Sequence, residues 1–264
     1  MLRYCSLFSS SSGNCTYVGT ATGGLLIDAG VSAKRVVTAL EEREIAPESI
    51  RALLITHEHS DHVAGLQVLV KRYRWPVLAS VGTLDALTAA DKLTDDMRLF
   101  VMQPGKPVTA SDLQILPFST PHDSRQCLGF RIDGQNNRSL AVVTDMGCVT
   151  SEIRQAITGC GLVHIESNHD LTMLRDGPYP YYLKERIRGN GGHLSNVDCS
   201  RELPSLLQSG TTRFVLAHLS GHNNTPQLAE RTAVESLSSI GAINGRDYIM
   251  QVAEPVGTRP VLYF

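Results

Sequence analysis

The sequence has no closely spaced cysteine pair, no long apolar run and almost no net charge. Its six cysteines are scattered without a C-x-x-C pair, which argues against a structural zinc ribbon or a redox dithiol. No apolar run approaches the roughly 18 residues of a membrane span, and four serines follow Phe8 where a signal peptide would continue its apolar core. A formal net charge of −2 gives no general attraction to nucleic acid, so such a partner would need a local basic strip and bound metal.

These absences predict a cytoplasmic protein without membrane association, whose cysteines are thiols of a reduced compartment. A disulfide between Cys5 and Cys15 is the alternative. With 264 residues, of which 42 % are hydrophobic and 19 % charged, the chain has enough apolar material for one large α/β domain or two small ones. No composition shift marks a linker, and no internal repeat is visible.

The most informative stretch is His57-Glu58-His59-Ser60-Asp61-His62. It holds three of the nine histidines and follows an apolar run, residues 52–56, that is typical of a buried strand. The next ten residues, 63–72, have the spacing of a helix. The polar cluster is therefore predicted at the turn between the carboxyl end of a strand and the start of a helix, where open α/β folds bind ligands.

The side-chain types in this cluster suit a metal ion. In an extended segment residues i and i+2 point to the same side, so His57 and His59 can present two imidazoles to one point. Asp61 and His62 then come from the turn that enters the helix. Imidazole nitrogen with carboxylate oxygen suits zinc, manganese or iron, whereas calcium and magnesium prefer oxygen alone. The alternative is a solvated polar turn with incidental histidines.

Further candidate ligands stand directly after other predicted strands. His122 follows the run 113–119, Asp145 follows 139–144, and His218 follows 213–217. Taken singly, each is more often a capping or core residue than a ligand. Together with the six-residue cluster they make two coordination sets.

The remaining pattern predicts a strand-rich chain with interspersed helices. Further strands are expected at 2–8, 15–19, 24–27, 77–80, 127–132, 162–166 and 248–252, and helices at 33–43, 82–90, 151–157, 181–188, 197–208 and 226–239. Residues 91–107 are expected to form a connection. The serine tract before Asn14 is interpreted either as a flexible hairpin turn or as a nest of hydroxyls and amides near a phosphate. Asp28, at the end of its strand, is a turn residue or a partner of a metal ligand.

The arrangement H-x-H-x-D-H, then a lone histidine, an aspartate after a strand and a late histidine resembles the metallo-β-lactamase-fold hydrolases. Seven segments together resemble the YycJ (WalJ)-like branch of that family. They are Ser11-Ser12-Gly13-Asn14, Asp28-Ala29-Gly30, Ile55 to His62, Thr144-Asp145, Glu166-Ser167-Asn168-His169-Asp170, Gly192-His193-Leu194-Ser195-Asn196 and Ala217-His218-Leu219-Ser220. The resemblance implies a single four-layer αββα domain over residues 1–264.

The resemblance also implies a centre of two divalent metal ions. One ion would be held by His57, His59 and His122, the other by Asp61, His62 and His218. Asp145 would bridge the two. Such a pair, about 3.5 to 4 Å apart, shares a water, lowers its pKa and stabilises the attacking and leaving oxygens of a phosphoryl transfer. The implied nucleophile is a metal-bridging hydroxide.

The predicted catalytic residues are His193 and Asp61. By resemblance, His193 is the general acid or a phosphate contact, and its alternative role is a helix cap or an exposed loop histidine. Predicted supporting or substrate contacts are Asp28, Ser12, Asn14, Glu166 and His169. His169 is expected to brace the site rather than to bind metal.

The leading functional hypothesis is a phosphodiesterase acting on nucleic acid, with a 5′ to 3′ DNA exonuclease favoured because the branch is associated with that activity. A hydrolase of a small phosphodiester or ester is the second. A β-lactamase-like amide hydrolase is disfavoured because those enzymes do not generally use a bridging aspartate such as Asp145. A di-iron redox protein is disfavoured because its family pattern has glutamate where this chain has His59. From another class, the chain could be a metal-stabilised regulatory or nucleic-acid-binding protein without turnover. The metal identity, the choice between DNA and RNA, and the oligomeric state stay open.

Overall fold

Two seven-stranded sheets form the middle of the molecule in the computed structural model, which describes residues 1–264. The first sheet contains β1 Arg3–Phe8, β2 Cys15–Gly19, β3 Gly24–Ile27, β4 Ile50–Leu54, β5 Val77–Ala79 and β6 Leu99–Val101. The second contains β7 Val108–Ala110, β8 Leu113–Ser119, β9 Leu128–Asp133, β10 Ser139–Val143, β11 Leu162–Glu166, β12 Arg213–Ala217 and β13 Ile249–Val252. The last strand, β14 Leu262–Tyr263, returns to the first sheet and pairs antiparallel with β1.

Helices cover the outer face of each sheet. They are α1 Ala33–Glu41, α2 Ser60–Val63, α3 Leu66–Tyr73, α4 Val81–Ala89, α5 Ser151–Ile157, α6 Leu171–Asp176, α7 Tyr181–Arg188, α8 Asn196–Gln208 and α9 Pro226–Ser238. A short 3-10 turn, Pro47–Ser49, leads into β4. None of these helices combines the length and the apolar character needed to cross a bilayer.

The apolar side chains divide into three layers because alternate residues of a strand face opposite sides of the sheet. Leu25 and Ile27 of β3 pack between the two sheets, against residues such as Phe130 and Val142 of the second sheet. Leu26, between them in sequence, packs with the helices outside the first sheet. A third cluster joins the second sheet to α5, α8 and α9. The predicted αββα architecture is therefore confirmed.

The predicted strands and helices are found, and β7, β14 and α6 are present in addition to them. The predicted connection 91–107 contains β6, whose residues are all exposed at the sheet edge and lack an alternating pattern. The predicted helix 63–72 is broken into α2 and α3 at Gly65. A β-carbon there would lie 2.4 Å from the Val31 carbonyl oxygen, so the chain needs glycine where it passes this loop. All six cysteines are free thiols, so the alternative disulfide between Cys5 and Cys15 is not formed.

A buried polar pair joins the sheets on the inside. The Tyr4 hydroxyl of β1 and Nδ1 of His164 in β11 share a hydrogen bond of 2.5 Å. His164 is buried, and this burial, with a smaller effect of nearby His218, lowers the pKa of its imidazole from 6.5 to about 3. The folded protein therefore holds this ring neutral between those two pH values, whereas the unfolded chain binds a proton.

We expect stability to fall as the pH drops below about 6.5, with His164 contributing about 2 kcal/mol of the loss between pH 7 and pH 5. The lowered pKa of His164 determines the direction of this change. Its contribution to stability is complete above the pKa of the unfolded chain and is lost at lower pH, where acid protonates His164 in the unfolded chain. Urea unfolding of the wild type and of His164→Gln at both pH values measures the effect. The variant should lose about 2 kcal/mol less over this step; equal losses would contradict the prediction.

Candidate metal centre

The predicted ligands come together where strand ends of the two sheets meet. His57 and His59 lie in the loop after β4, and Asp61 and His62 begin α2 directly behind it. His122 follows β8, Asp145 follows β10 and His218 follows β12. Because β10, β11 and β12 run parallel, their carboxyl ends open at the same edge of the second sheet.

The seven side chains form two adjoining clusters. The ligand atoms of His57, His59 and His122 lie within 4.8 Å of one another, and those of Asp61, His62 and His218 do the same. In the first cluster, Nδ1 of His59 is 3.3 Å from Nε2 of His122. In the second, Oδ2 of Asp61 is 3.4 Å from Nε2 of His62 and 3.7 Å from Nε2 of His218. Both clusters therefore have the spacing of a metal site.

Asp145 lies between the clusters and reaches both. Its Oδ2 is 3.3 Å from Nε2 of His62, and its Oδ1 is 3.8 Å from Nε2 of His122. It is buried, and its backbone is in the left-handed region with φ of 58°. This is the position of a carboxylate that two cations could share.

The donor atoms fit divalent cations. Three buried atoms in the clusters have no hydrogen-bond partner: Nε2 of His57, Oδ2 of Asp145 and Nε2 of His218. Buried polar atoms are normally paired, since leaving one unpaired costs about 1–3 kcal/mol. Bound cations would satisfy all three, and this mixture of imidazole and carboxylate suits zinc, manganese or iron.

The carboxylates around the clusters favour positive charge at the site. Burial, with the charge of His62 and His122, lowers the pKa of His57 well below its ordinary value, so this imidazole stays neutral. Burial also acts to lower the pKa of His218, but Asp145, Asp61 and Glu166 outweigh it and raise that pKa to about 10. His218 therefore carries a proton until a cation replaces it, and metal binding should release protons.

Asp28 orients His62 from behind the site. Its Oδ2 is 2.7 Å from Nδ1 of His62, which leaves Nε2 free to face the cluster. Its Oδ1 accepts the Thr56 amide hydrogen at 2.8 Å. Burial raises the pKa of this carboxyl, although His62 and Thr56 act against the rise.

Two further residues of the site have left-handed backbone: Asp28 adopts φ of 63°, and His218 adopts φ of 55°. Left-handed backbone in such residues costs of order 1–3 kcal/mol each and is typical of functional sites.

Replacing Asp28 with asparagine should lower the affinity for the ion proposed at Asp61, His62 and His218 about 10- to 100-fold. The single oxygen of asparagine cannot accept hydrogen bonds from both the Thr56 amide and His62. Competition against a fluorescent chelator measures this affinity. Asp112→Asn is the matched control: Asp112 also accepts hydrogen bonds from threonines, Thr20 and Thr22, but outside the site. Equal affinities for the Asp28 variant and the wild type would show that His62 needs no such partner.

Glu166, the last residue of β11, ties two histidines to one carboxylate. Its Oε1 is 2.9 Å from Nδ1 of His193 and 2.8 Å from Nδ1 of His218. Its Oε2 accepts the amide hydrogens of Met146 and Leu194. Burial acts to raise the pKa of Glu166, but His193 and His218 outweigh it and hold the pKa far below its ordinary range. Glu166 therefore stays ionised and fixes the direction of both rings.

His193 lies beside the clusters and is partly open to solvent. Its side chain is 17 % exposed, and its ring centroid is 5.1 Å from that of His122 and 5.3 Å from that of His218. Because Nδ1 faces Glu166, Nε2 is the nitrogen left for a substrate. The structure therefore brings His193 next to the predicted ligands, as a residue at the mouth of the site.

The other predicted supporting residues are placed differently. The Asn14 side-chain amide is 3.3 Å from Oδ2 of Asp61 and 3.1 Å from Nε2 of His62. Ser12 is exposed in the preceding turn, where its amide donates to Ser10 Oγ and not to the centre.

His169 is buried behind the His193 loop, and burial lowers its pKa to about 4. Its carbonyl oxygen accepts the Asn196 amide hydrogen, so it supports the loop through the backbone.

One contact of the site was not predicted from the sequence: the Gly192 carbonyl oxygen lies 3.1 Å from Nδ1 of His122. This contact directs Nε2 of the His122 ring toward the first cluster. A β-carbon on Gly192 would lie 2.3 Å from the Arg186 carbonyl oxygen. The close approach of these backbones requires glycine, and the glycine-rich run before His193 was the available signal.

Comparisons with known proteins show which family the chain belongs to. A family described as the β-lactamase superfamily domain matches residues 24–219. The chain is 34 % identical over 254 residues to the exodeoxyribonuclease YycJ of Bacillus anthracis, covering 96 % of each chain. It is 34 % identical over 261 residues to the exodeoxyribonuclease WalJ of Streptococcus pneumoniae, covering 98 % of this chain and 97 % of the relative.

Among solved structures, the metallo-β-lactamase-fold protein YhfI of Bacillus subtilis is similar in fold, with a TM-score of 0.75, 16 % identity and coverage of 99 % of this chain and 98 % of the other. The fold, the matched family and the two relatives of similar length all point to the same group. The chain therefore belongs to the metallo-β-lactamase superfamily and, within it, to the YycJ (WalJ) family.

Proposed function

We propose that this chain is a two-metal exodeoxyribonuclease that hydrolyses DNA in the 5′ to 3′ direction. The observation that carries the proposal is the pair of ligand clusters joined by Asp145. The chain is a metal-dependent hydrolase, in keeping with its superfamily and with relatives that are named exodeoxyribonucleases. Those names are the reason for proposing DNA as the substrate.

The proposed ligand sets follow the two clusters. One ion would be held by His57, His59 and His122 and the other by Asp61, His62 and His218, with Asp145 shared. When bound, two such ions lower the pKa of a water molecule and offset negative charge on the phosphate oxygens. Zinc, manganese and iron all suit these ligands, and we propose that availability decides among them.

The chain itself supplies orientation and a proton. Glu166 fixes Nδ1 of His193, so Nε2 can give its proton to the oxygen that leaves the scissile phosphate. The Asn14 amide, close to Asp61 and His62, restrains that side of the centre. The partial exposure of His193 leaves room for a phosphodiester at the mouth.

We further propose that residues 1–264 form one catalytic domain, since β14 near the carboxyl terminus pairs with β1 near the amino terminus. The free state of all six cysteines supports a reduced compartment, and we propose the cytoplasm.

One assay separates the competing functions. Single- and double-stranded DNA and RNA, with and without a 5′-phosphate, are labelled at either end and incubated with the protein and manganese, zinc or magnesium. The proposal expects a label at the 5′ end of DNA to appear at once in mononucleotides, and a 3′ label to pass through progressively shorter chains. Early release of the 3′ label would show that the enzyme digests DNA in the 3′ to 5′ direction instead. Cleavage of a chromogenic phosphodiester alone would favour a small substrate, and DNA binding without cleavage would favour a non-catalytic binding protein.

A further inference from the structure

A short helix next to the metal centre exposes aromatic side chains to solvent. Tyr181 and Tyr182, at the start of α7, are 77 % and 74 % exposed, more than any other large hydrophobic side chain. Tyr179 precedes them, so three of the eight tyrosines fall within four residues. Their rings make no contribution to the buried core clusters, which suggests that they serve binding.

The same segment is basic in a chain that is slightly acidic overall. Residues 171–188 carry four basic and two acidic side chains, against a net charge of −2 for the whole protein. Arg175 and Arg188 are 67 % and 58 % exposed, and each pairs at the surface with a neighbouring acid, Asp176 and Glu185. Exposed ion pairs of this kind contribute at most about 1 kcal/mol, so a phosphate can compete for both arginines. Tyr181, Lys184 and Arg188 are spaced at i, i+3 and i+7 and therefore share one face of α7. With Arg175 and the single acid Glu185 they line a surface pocket, in which Lys184 donates to the Arg175 carbonyl oxygen at 2.7 Å.

The carboxyl end of α7 is attached to the metal centre. The His193 amide donates to the Ile187 carbonyl oxygen at 2.9 Å, and Arg186 forms an ion pair with Asp123, the neighbour of His122. The Asp123 amide in turn donates to the Gly191 carbonyl oxygen at 2.9 Å. A helix of this length spans about 12 Å, which matches about three or four stacked nucleotides at 3.4 Å each.

We propose that the exposed surface formed by α7 and the end of α6, which we call the tyrosine–lysine face (Arg175, Tyr181, Tyr182, Lys184 and Arg188), binds a single strand of nucleic acid whose end enters the metal centre. The inference rests on the proposed function and names how that substrate is held. Tyr181 and Tyr182 stack on bases, and the cations contact phosphates. A single strand is the occupant because aromatic rings stack on unpaired bases, while the bases of a duplex are already stacked on one another.

The test measures binding by the metal-loaded protein to a decathymidylate with cleavage-resistant phosphorothioate linkages and a 3′ fluorescein, followed by anisotropy. Tyr181→Ala combined with Tyr182→Ala should raise the Kd about ten-fold or more. A dithymidylate of the same chemistry is too short to reach both the centre and the tyrosines, so its loss of affinity should be smaller. Tyr181→Trp combined with Tyr182→Trp keeps the stacking surfaces and should restore binding.

Lys184→Ala combined with Arg188→Ala tests the phosphate contacts. The slope of log Kd against log salt should fall by about 0.7 for each lost contact with the single strand. Phe100→Ala serves as the aromatic control, because Phe100 is 53 % exposed on β6, outside this face. Circular dichroism of each variant checks that the fold is kept.

The proposal is overturned if the tyrosine double variant binds the decamer within about two-fold of wild type, a change far below one stacked base. It is also overturned if the variant loses affinity equally for the decathymidylate and the dithymidylate, which would indicate a general disturbance of the site. A variant that changes only the sedimentation coefficient would overturn it as well, because the face would then be a self-association surface. Cleavage is scored separately: a wild-type protein that binds the decamer through these tyrosines but cuts no unmodified DNA would refute the proposed function and leave the face intact.

Discussion

Asp145→Asn should reduce bound metal to one ion or fewer per chain and lower the rate of phosphodiester cleavage about a thousand-fold or more. A second metal ion stabilises the transition state by several kcal/mol, and each step of about 1.4 kcal/mol changes the rate ten-fold. Asp145 is the carboxylate within reach of both clusters. Asparagine keeps its size and tolerates the left-handed backbone at φ of 58°, so the change removes charge with little effect on the fold.

Metal content by inductively coupled plasma mass spectrometry and initial rates on labelled DNA measure these two effects. Asp133→Asn is the matched control, because Asp133 also ends a strand but pairs with Arg131 away from the centre. The control should keep wild-type metal content and rate. An Asp145 variant with two bound ions and a normal rate would show that the ions do not share this carboxylate.

The site could be predicted from the sequence largely because its polar residues directly follow apolar runs. His122, Asp145 and His218 each stand just after a strand, and parallel strands end at a common edge. The six-residue cluster needs no long-range information, since a strand followed by a helix fixes where His57 and His62 lie. Element types and most boundaries were predictable for the same reason: the strands of the inner layers are continuous or alternating apolar runs.

The orientation of the ligands could not be predicted, because it depends on contacts between distant residues. The bond from Asp28 to His62 joins positions 34 apart, and Glu166 reaches His193 and His218 across 27 and 52 positions. The motif around Glu166 indicated a supporting role but not that one oxygen would serve two histidines. The short edge strand β6 was missed because it consists of only three apolar residues within a charged connection, fewer than the four to eight that indicate a strand.

His193→Ala should lower kcat on DNA about 100- to 10,000-fold, the usual contribution of a general acid, with a much smaller change in KM. The geometric reason is that Glu166 occupies Nδ1 and leaves Nε2 free at the mouth of the site. Removing the ring leaves the seven predicted ligands in place, so metal content should stay at the wild-type value. Rates measured with saturating DNA and metal analysis of the same sample check both statements.

The leaving group separates proton donation from mere positioning by His193. A deoxyribose oxygen needs a proton as it departs, whereas p-nitrophenolate leaves readily without one. If His193 is the acid, the loss caused by His193→Ala should be far smaller on bis-p-nitrophenyl phosphate than on DNA. Equal losses on both substrates would instead assign His193 to phosphate binding. Glu166→Gln should lower the rate on DNA about 10- to 100-fold, because Glu166 is not expected to touch the substrate and orients His193 and His218.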